Sequence, residues 1–254
     1  MAIRDFKQLK TKKGRDESGL FMIEGEKFVL EIPHSWRVRQ YVMAERFAAV
    51  HDISQYENRA KCDVVRNSIF DSLADTVSPQ GIIAVCEKKV FSMEDMLGGN
   101  AVHFILLGEN LNDPGNIGAL VRTAAAAGVN GVILTAGSGD IYNPKVLRAA
   151  AGAVLRLPFI VDIKLEEAIE NMKQHQIPVY AAHPRGDKLP YSLNLCKSVC
   201  MLVGNESHGI SDTAASLASA LVTLPMVDST ESLNASVAGS ILMYEAVRQR
   251  GRQK

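Results

Sequence analysis

Between residues 102 and 250 the apolar positions fall into two alternating arrangements: short continuous runs bounded by turn residues, and longer stretches in which apolar residues recur every three or four positions. The runs at 102–107, 132–135, 157–161, 179–181, 199–203 and 221–224 have the character of strands buried on both faces. The periodic stretches at 117–127, 145–150, 165–175, 212–218 and 234–250 have helical spacing. Strands separated by helices predict an α/β fold, a parallel sheet covered on both sides. A smaller alternation precedes it. Residues 21–32 read as a helix that tolerates Gly25, 37–43 as a strand, 44–50 and 53–60 as short helices, 62–65 as a strand, 68–74 as a helix and 81–86 as a buried strand. The pattern fades from 87 to 100 and is punctuated by Gly98-Gly99-Asn100. The expected division is a small α/β domain, residues 1–98, and a larger one, 99–254.

In open parallel sheets ligands bind beyond the carboxyl ends of the strands, so the strand-to-helix joints carry the candidate chemistry. The first joint runs Asn110-Leu111-Asn112-Asp113-Pro114-Gly115-Asn116-Ile117-Gly118, with Arg122-Thr123-Ala124 about two turns into the following helix. Amides and an acid before a helix are ordinary caps, and an arginine on a helix is ordinarily solvated; it is their grouping that suggests a site. The second joint, Gly204-Asn205-Glu206-Ser207-His208-Gly209-Ile210-Ser211, has glycines that let backbone amides approach a ligand and one carboxylate, Glu206. His208 is read as a surface residue of that loop. The third joint is Leu224-Pro225-Met226, then Ser232-Leu233-Asn234-Ala235-Ser236-Val237-Ala238, with Ser232 or Asn234 as the helix cap. In the helix beyond, Val237, Ile241 and Tyr244 form one apolar stripe and Ala238, Leu242 and Ala246 another, which predicts burial on most sides.

Composition narrows this only a little. A chain of 254 residues with 47% hydrophobic and 22% charged residues is ordinary for a globular protein. No apolar run approaches the roughly 20 residues that cross a bilayer, and the amino terminus lacks the apolar core of a signal peptide, so a cytoplasmic location and no membrane partner are expected. Formal net charge is +0, so any attraction for nucleic acid must be local. Arg4, Lys7, Lys10, Lys12, Lys13 and Arg15 make one such patch, read either as a mobile RNA-binding arm or as a solvated tail. Cys62, Cys86, Cys196 and Cys200 lack the spacing of zinc ligands, and no metal is expected. Gly137-Ser138-Gly139 begins like a dinucleotide fingerprint, but Tyr142 occupies the third glycine position.

Asn-x-x-Asp-Pro-x-Asn-x-Gly-x-x-x-Arg-Thr-Ala, met without a gap from Asn110 to Ala124, resembles the first motif of the SpoU family of RNA ribose methyltransferases, within the SPOUT superfamily. Gly204, Glu206 and Gly209 stand in the positions of that family's second motif, and residues 224–238 resemble the third. More loosely, residues 10–15, 21–25 and 78–82 are similar to the ribosomal-protein-like substrate-binding domain that often precedes it. The resemblance implies a trefoil-knotted parallel-sheet domain, a homodimer, and methylation of a ribose 2′-hydroxyl by S-adenosylmethionine. Ribosomal RNA is the expected substrate and transfer RNA the alternative; a non-catalytic RNA-binding protein and an unrelated α/β enzyme are the competing classes. Carried over residue by residue, the catalytic set is Arg122, Asn116, Glu206, Ser232 and Asn234. Gly204, Asn205, Leu224, Met226, Leu233, Ala235 and Ala238 would hold the cofactor, and Lys10, Lys12, Lys13 and Arg15 the RNA. Two departures bear on cofactor binding: Asp228 stands where glycine is common, and Ala235 replaces a usual valine. The family assigns Arg122 to activating the hydroxyl. Free arginine is a poor base, so the reading preferred here is that Arg122 binds the adjacent phosphate and orients the ribose.

Overall fold

The computed structural model describes residues 3–99, 102–227 and 232–251. By its contacts the chain forms two compact units, one of residues 1–89 with 142–155, the other of residues 90–141 with 156–254. The first unit thus runs to Lys89 and takes in the segment 142–155.

In the first unit a four-stranded sheet, ordered β1 (Leu20–Glu24), β4 (Ile82–Glu87), β2 (Val38–Ala44), β3 (Lys61–Val65), carries the short helices α1 (Ile3–Gln8), α2 (Lys12–Ser18), α3 (Glu26–Leu30), α4 (Glu45–Ala48), α5 (Ser54–Glu57) and α6 (Asn67–Leu73). Two expectations are corrected here. Residues 20–24 are a strand and not the start of a helix: they pair antiparallel with β4, from Leu20 opposite Glu87 to Glu24 opposite Ile83. Gly25, at φ 102°, then separates that strand from α3. The basic amino-terminal segment is not a mobile arm, since α1 and α2 occupy it and Thr11 caps α2 by accepting from Gly14 N–H.

The second unit is built on a six-stranded sheet, all its pairs parallel, in the order β10 (Ala220–Val222), β8 (Val179–Ala182), β9 (Val199–Val203), β5 (Phe104–Gly108), β6 (Gly131–Thr135), β7 (Phe159–Ile163). Its helices are α7 (Met93–Leu97), α8 (Pro114–Ala127), α10 (Leu165–Gln174), α11 (Asp212–Leu217) and α12 (Ala235–Gly251); α9 (Pro144–Ala150) lies in the segment that packs with the first unit. Both faces of β5 are closed, which is why its run is continuously apolar. Ile105 and Leu107 face a core completed by Ala168, Ile169 and Met172 of α10 and Ala214 of α11. On the other face α12 packs against α8 and β9. A Cβ on Gly239 of α12 would come within 2.6 Å of the Leu120 side chain and 3.0 Å of that of Val203, so α12 sits close on both.

Residues 93–97, where the pattern faded, are α7, begun by a capping box in which Ser92 accepts from Asp95 N–H and the Asp95 carboxylate accepts from Ser92 N–H. The stripe Val237, Ile241 and Tyr244 is not buried: these side chains are 45%, 44% and 52% exposed, and only the stripe holding Leu242, Met243 and Ala246 meets the core.

Candidate active site

Strand order reverses around β5: β6 and β7 follow on one side, while β9 and β8 lie on the other. Such a switch point opens a crevice at the carboxyl ends of the strands, and all three joints meet beside it. Asp113 caps α8 by accepting from Asn116 N–H at 2.8 Å, with Pro114 as its first residue. Ahead of the cap the chain turns through Asn110, at φ 49°, whose N–H donates to Thr135 Oγ1 at 3.0 Å. The decoy glycine segment has a structural use here, since Ser138 Oγ accepts from Leu111 N–H and Gly139 N–H donates to Leu111 O.

The second joint is a closed turn. Asn205 N–H and Gly209 N–H each donate to the other's carbonyl at 2.9 Å, and Asn205 Oδ1 accepts from Ser207 N–H at 2.9 Å. A Cβ on Gly204 would lie 2.2 Å from the Gly209 carbonyl carbon and 2.4 Å from Ile210 N. Asn205 Nδ2 donates to Asn110 O at 2.9 Å, tying this turn to the first joint. Glu109 at the end of β5, buried at 8% exposure, braces it from the other end by accepting from Ser211 N–H at 3.0 Å.

Glu206 is the hub of the arrangement. Its carboxylate accepts from Asn112 N–H at 3.4 Å, from Asp113 N–H at 3.2 Å and from Asn116 Nδ2 at 3.1 Å. A carboxylate placed there also meets the positive end of α8. Asn116 in turn accepts at Oδ1 from Asn234 Nδ2, at 2.9 Å. Asn234, rather than Ser232, caps α12, its Oδ1 accepting from Ser236 N–H at 2.8 Å and Val237 N–H at 3.3 Å. One hydrogen-bonded line, Glu206–Asn116–Asn234, therefore joins the three joints.

Next to this line, beyond the ends of β8, β9 and β10, is a cavity of about 380 Å³. Gly204, Asn205, Leu224, Met226, Leu233, Ala235 and Ala238 all line it, as do Glu206 and Ser232. Asp228 lies outside the described residues. The wall made by Ala182, His183, Pro184 and Arg185 was missed from the sequence, although it follows a strand end and so belonged to the same class of joint.

Arg122, expected to meet RNA phosphate and not the cofactor, stands apart from this cavity. It is exposed on α8, does not line the cavity, and makes no hydrogen bond or ion pair with the described residues. In the first unit Arg15 is corrected from RNA contact to scaffold: it is 2% exposed and donates from Nη1 to Leu9 O at 2.8 Å. Lys10 donates to Ala74 O at 2.8 Å, Lys13 pairs with Glu17 at 3.8 Å, and Lys12 is exposed. Among the described residues no group of three or more His, Cys, Asp or Glu is placed to hold a metal. Burial pushes the Cys62 thiol up to about 11 and that of Cys86 to about 12, so neither supplies a thiolate at neutral pH. No helix of the described residues is long and apolar enough to cross a membrane.

A glycine-bearing cavity beyond the carboxyl ends of parallel strands is where α/β folds bind small organic ligands. The matches narrow the class of ligand. Residues 103–244 match the SpoU rRNA Methylase family, residues 1–84 match the MRM3-like substrate binding domain, and the chain belongs to the SpoU family of S-adenosylmethionine-dependent RNA 2′-O-ribose methyltransferases. It is 30% identical, over 95% of its length and 94% of the other's, to the Bacillus subtilis 23S rRNA (guanosine(2553)-2′-O)-methyltransferase RlmP. The AdoMet complex of the SpoU methyltransferase AviRb from Streptomyces viridochromogenes superposes with a TM-score of 0.85 at 25% identity, covering 96% of this chain and 97% of that one. An AdoMet-bound rRNA methyltransferase from Sinorhizobium meliloti gives 0.87 at 27% identity, covering 97% and 94%.

Proposed function

We propose that this chain methylates one ribose 2′-hydroxyl of 23S ribosomal RNA in the cytoplasm, with the first unit gripping the RNA. The observation that carries the reading is the Glu206–Asn116–Asn234 line, which fixes the cofactor-sized cavity against the helix that bears Arg122. The cavity fits the cofactor: its volume of about 380 Å³ falls within the roughly 300–1,000 Å³ of small-molecule sites. Leu224, Met226, Leu233 and Ala238 offer apolar contact there, beside the backbone of the 204–209 turn. When bound, the cofactor supplies an electrophilic methyl group on its sulfonium.

The chain's part is positioning. Glu206, Asn116 and Asn234 hold one another and set the start of α8; Ser232 lines the cavity; Arg122 binds the phosphate next to the target ribose and orients its 2′-oxygen, the proton leaving to phosphate or water. Lys7, Lys12 and Lys13 are exposed groups of the amino-terminal patch available to meet RNA.

The active form is a homodimer through α8 and α12. The exposed stripe Val237, Ile241 and Tyr244 supports it, and in that arrangement Arg122, which does not line its own cavity, serves the cavity of the second copy. A trefoil knot belongs to the same reading, as a feature of the family's fold. The wild type should sediment as twice its 27.6 kDa chain mass. Ile241→Asp should sediment as a single chain with its thermal midpoint almost unmoved, because that side chain is already 44% exposed; an unchanged sedimentation mass would remove α12 from the interface.

The decisive experiment maps ribose methylation in cells with and without the gene. One 23S position should lose its methyl group in the deletion strain, and purified protein with labelled cofactor should restore it. Loss at a transfer RNA position instead would reassign the substrate. Failure to bind cofactor at millimolar concentration would leave an RNA-binding protein of the same fold.

A further inference from the structure

The wall that follows β8 presents a group outside the three joints. Its turn is pinned along β10: His183 N–H donates to Val222 O at 2.9 Å, Lys188 N–H to Leu221 O at 3.2 Å, and Thr223 N–H to Lys188 O at 2.9 Å. Thr223 Oγ1 donates to Pro184 O at 3.0 Å. A Cβ on Gly186 would lie 2.7 Å from the Leu221 carbonyl and 2.8 Å from Thr223 N, so the turn lies directly on that strand. His183 Nδ1 accepts from Arg185 N–H at 3.1 Å, which leaves the neutral ring's proton on Nε2. The backbone at Arg185 is therefore rigidly aimed, while its side chain is exposed and has no carboxylate partner among the described residues; the nearby Asp187 is paired with Lys188 at 3.5 Å.

Among the residues lining the cavity Arg185 is the one permanent cation. Among the described lining residues the one carboxylate, Glu206, already accepts from Asn112, Asp113 and Asn116. S-adenosylmethionine carries a sulfonium, an ammonium and a single carboxylate. An arginine at this wall is repelled by the first two and attracted by the third, and its planar fork matches a carboxylate.

We propose that Arg185 seats the α-carboxylate of S-adenosylmethionine. The assignment rests on the reading of the cavity as the cofactor site. A carboxylate held at that wall fixes the amino-acid tail at the mouth of the cavity and with it the direction of the sulfonium methyl.

The test is calorimetric, on the purified full-length protein, with S-adenosylmethionine and with 5′-methylthioadenosine, which keeps the adenosine and the S-methyl group on a neutral sulfur but lacks the amino-acid tail and its carboxylate. Arg185→Ala should weaken S-adenosylmethionine binding about tenfold, the size of one lost charge-assisted contact. Arg185→Lys should weaken it less, and methylthioadenosine should bind all three proteins within about twofold. Equal losses for both ligands would mean that Arg185 only shapes the wall, and unchanged affinity for both would also overturn the assignment. If S-adenosylmethionine affinity holds while the KM for RNA rises, the arginine grips an RNA phosphate and the assignment is wrong. Wild-type protein that binds neither ligand would overturn the reading of the cavity itself, and this assignment with it.

Discussion

Arg122→Ala is expected to lower single-turnover methyl transfer by about a thousandfold, the upper end of what removing one positioned charge costs an enzyme, while S-adenosylmethionine affinity stays within about twofold of wild type. The two halves of this result come from one placement: Arg122 is exposed on α8 and does not line the cavity. A residue that touches neither the cofactor nor the Glu206–Asn116–Asn234 line can be removed without disturbing either, so stability and cofactor binding should hold. Arg122→Lys keeps the charge but loses the two-pronged grip on phosphate, and should recover only part of the rate. The measurement is label transfer to RNA in a single turnover, run beside cofactor calorimetry and an RNA-binding curve. If Arg122→Ala turns over normally, the reading of α8 as the RNA-facing helix is wrong. If it binds RNA as tightly as wild type yet does not react, the arginine does more than position the ribose.

Gly204→Ala should abolish cofactor binding at the concentrations that saturate the wild type. The added methyl meets the Gly209 carbonyl carbon at 2.2 Å, its oxygen at 2.3 Å and Ile210 N at 2.4 Å. These are backbone atoms of a turn closed by two reciprocal hydrogen bonds between Asn205 and Gly209, so no side chain can swing aside. Overpacking costs about 1–3 kcal/mol, and here the upper figure applies because the turn itself must open. About 3 kcal/mol corresponds to a loss of roughly a hundredfold in affinity. Gly251→Ala, where a new Cβ would have nothing within 4 Å, is the matching control and should change nothing. Calorimetry and thermal unfolding of both variants check this; full affinity in Gly204→Ala would show that the turn is not part of the cofactor seat.

The large parallel sheet was legible because strands covered on both faces, such as β5, must be apolar at every position. The three joints were legible because amides, glycines and acids there follow capping and turn rules. Other features depended on contacts no short window contains. Residues 20–24 fit a helical spacing, and only pairing with β4, more than 50 residues away, makes them a strand. Arg15 counted as a surface cation until α2 placed it over Leu9. α7 did announce itself, through Ser92 and Asp95, but a five-residue helix leaves little periodicity to detect. The stripe on α12 could not be assigned to core or surface by spacing, since both kinds of apolar face repeat alike. Arg185 carries no motif at all. Its place on the cavity wall follows from β8 lying next to β10, and strand order is not written in any one strand.

The hydrogen-bonded line through the site also bears on when the site comes into existence. Its two links join residues 90 and 118 positions apart, Glu206 to Asn116 and Asn234 to Asn116. Contacts of such separation form late, because the entropy of closing the intervening chain must be met before they add stability. A ribosome-bound chain that has not yet released Asn234 has the first joint and the second but no line between all three. Cofactor capture thus reports that the last helix has docked, and stalled chains of increasing length should acquire it abruptly, only after the residues of α12 have emerged.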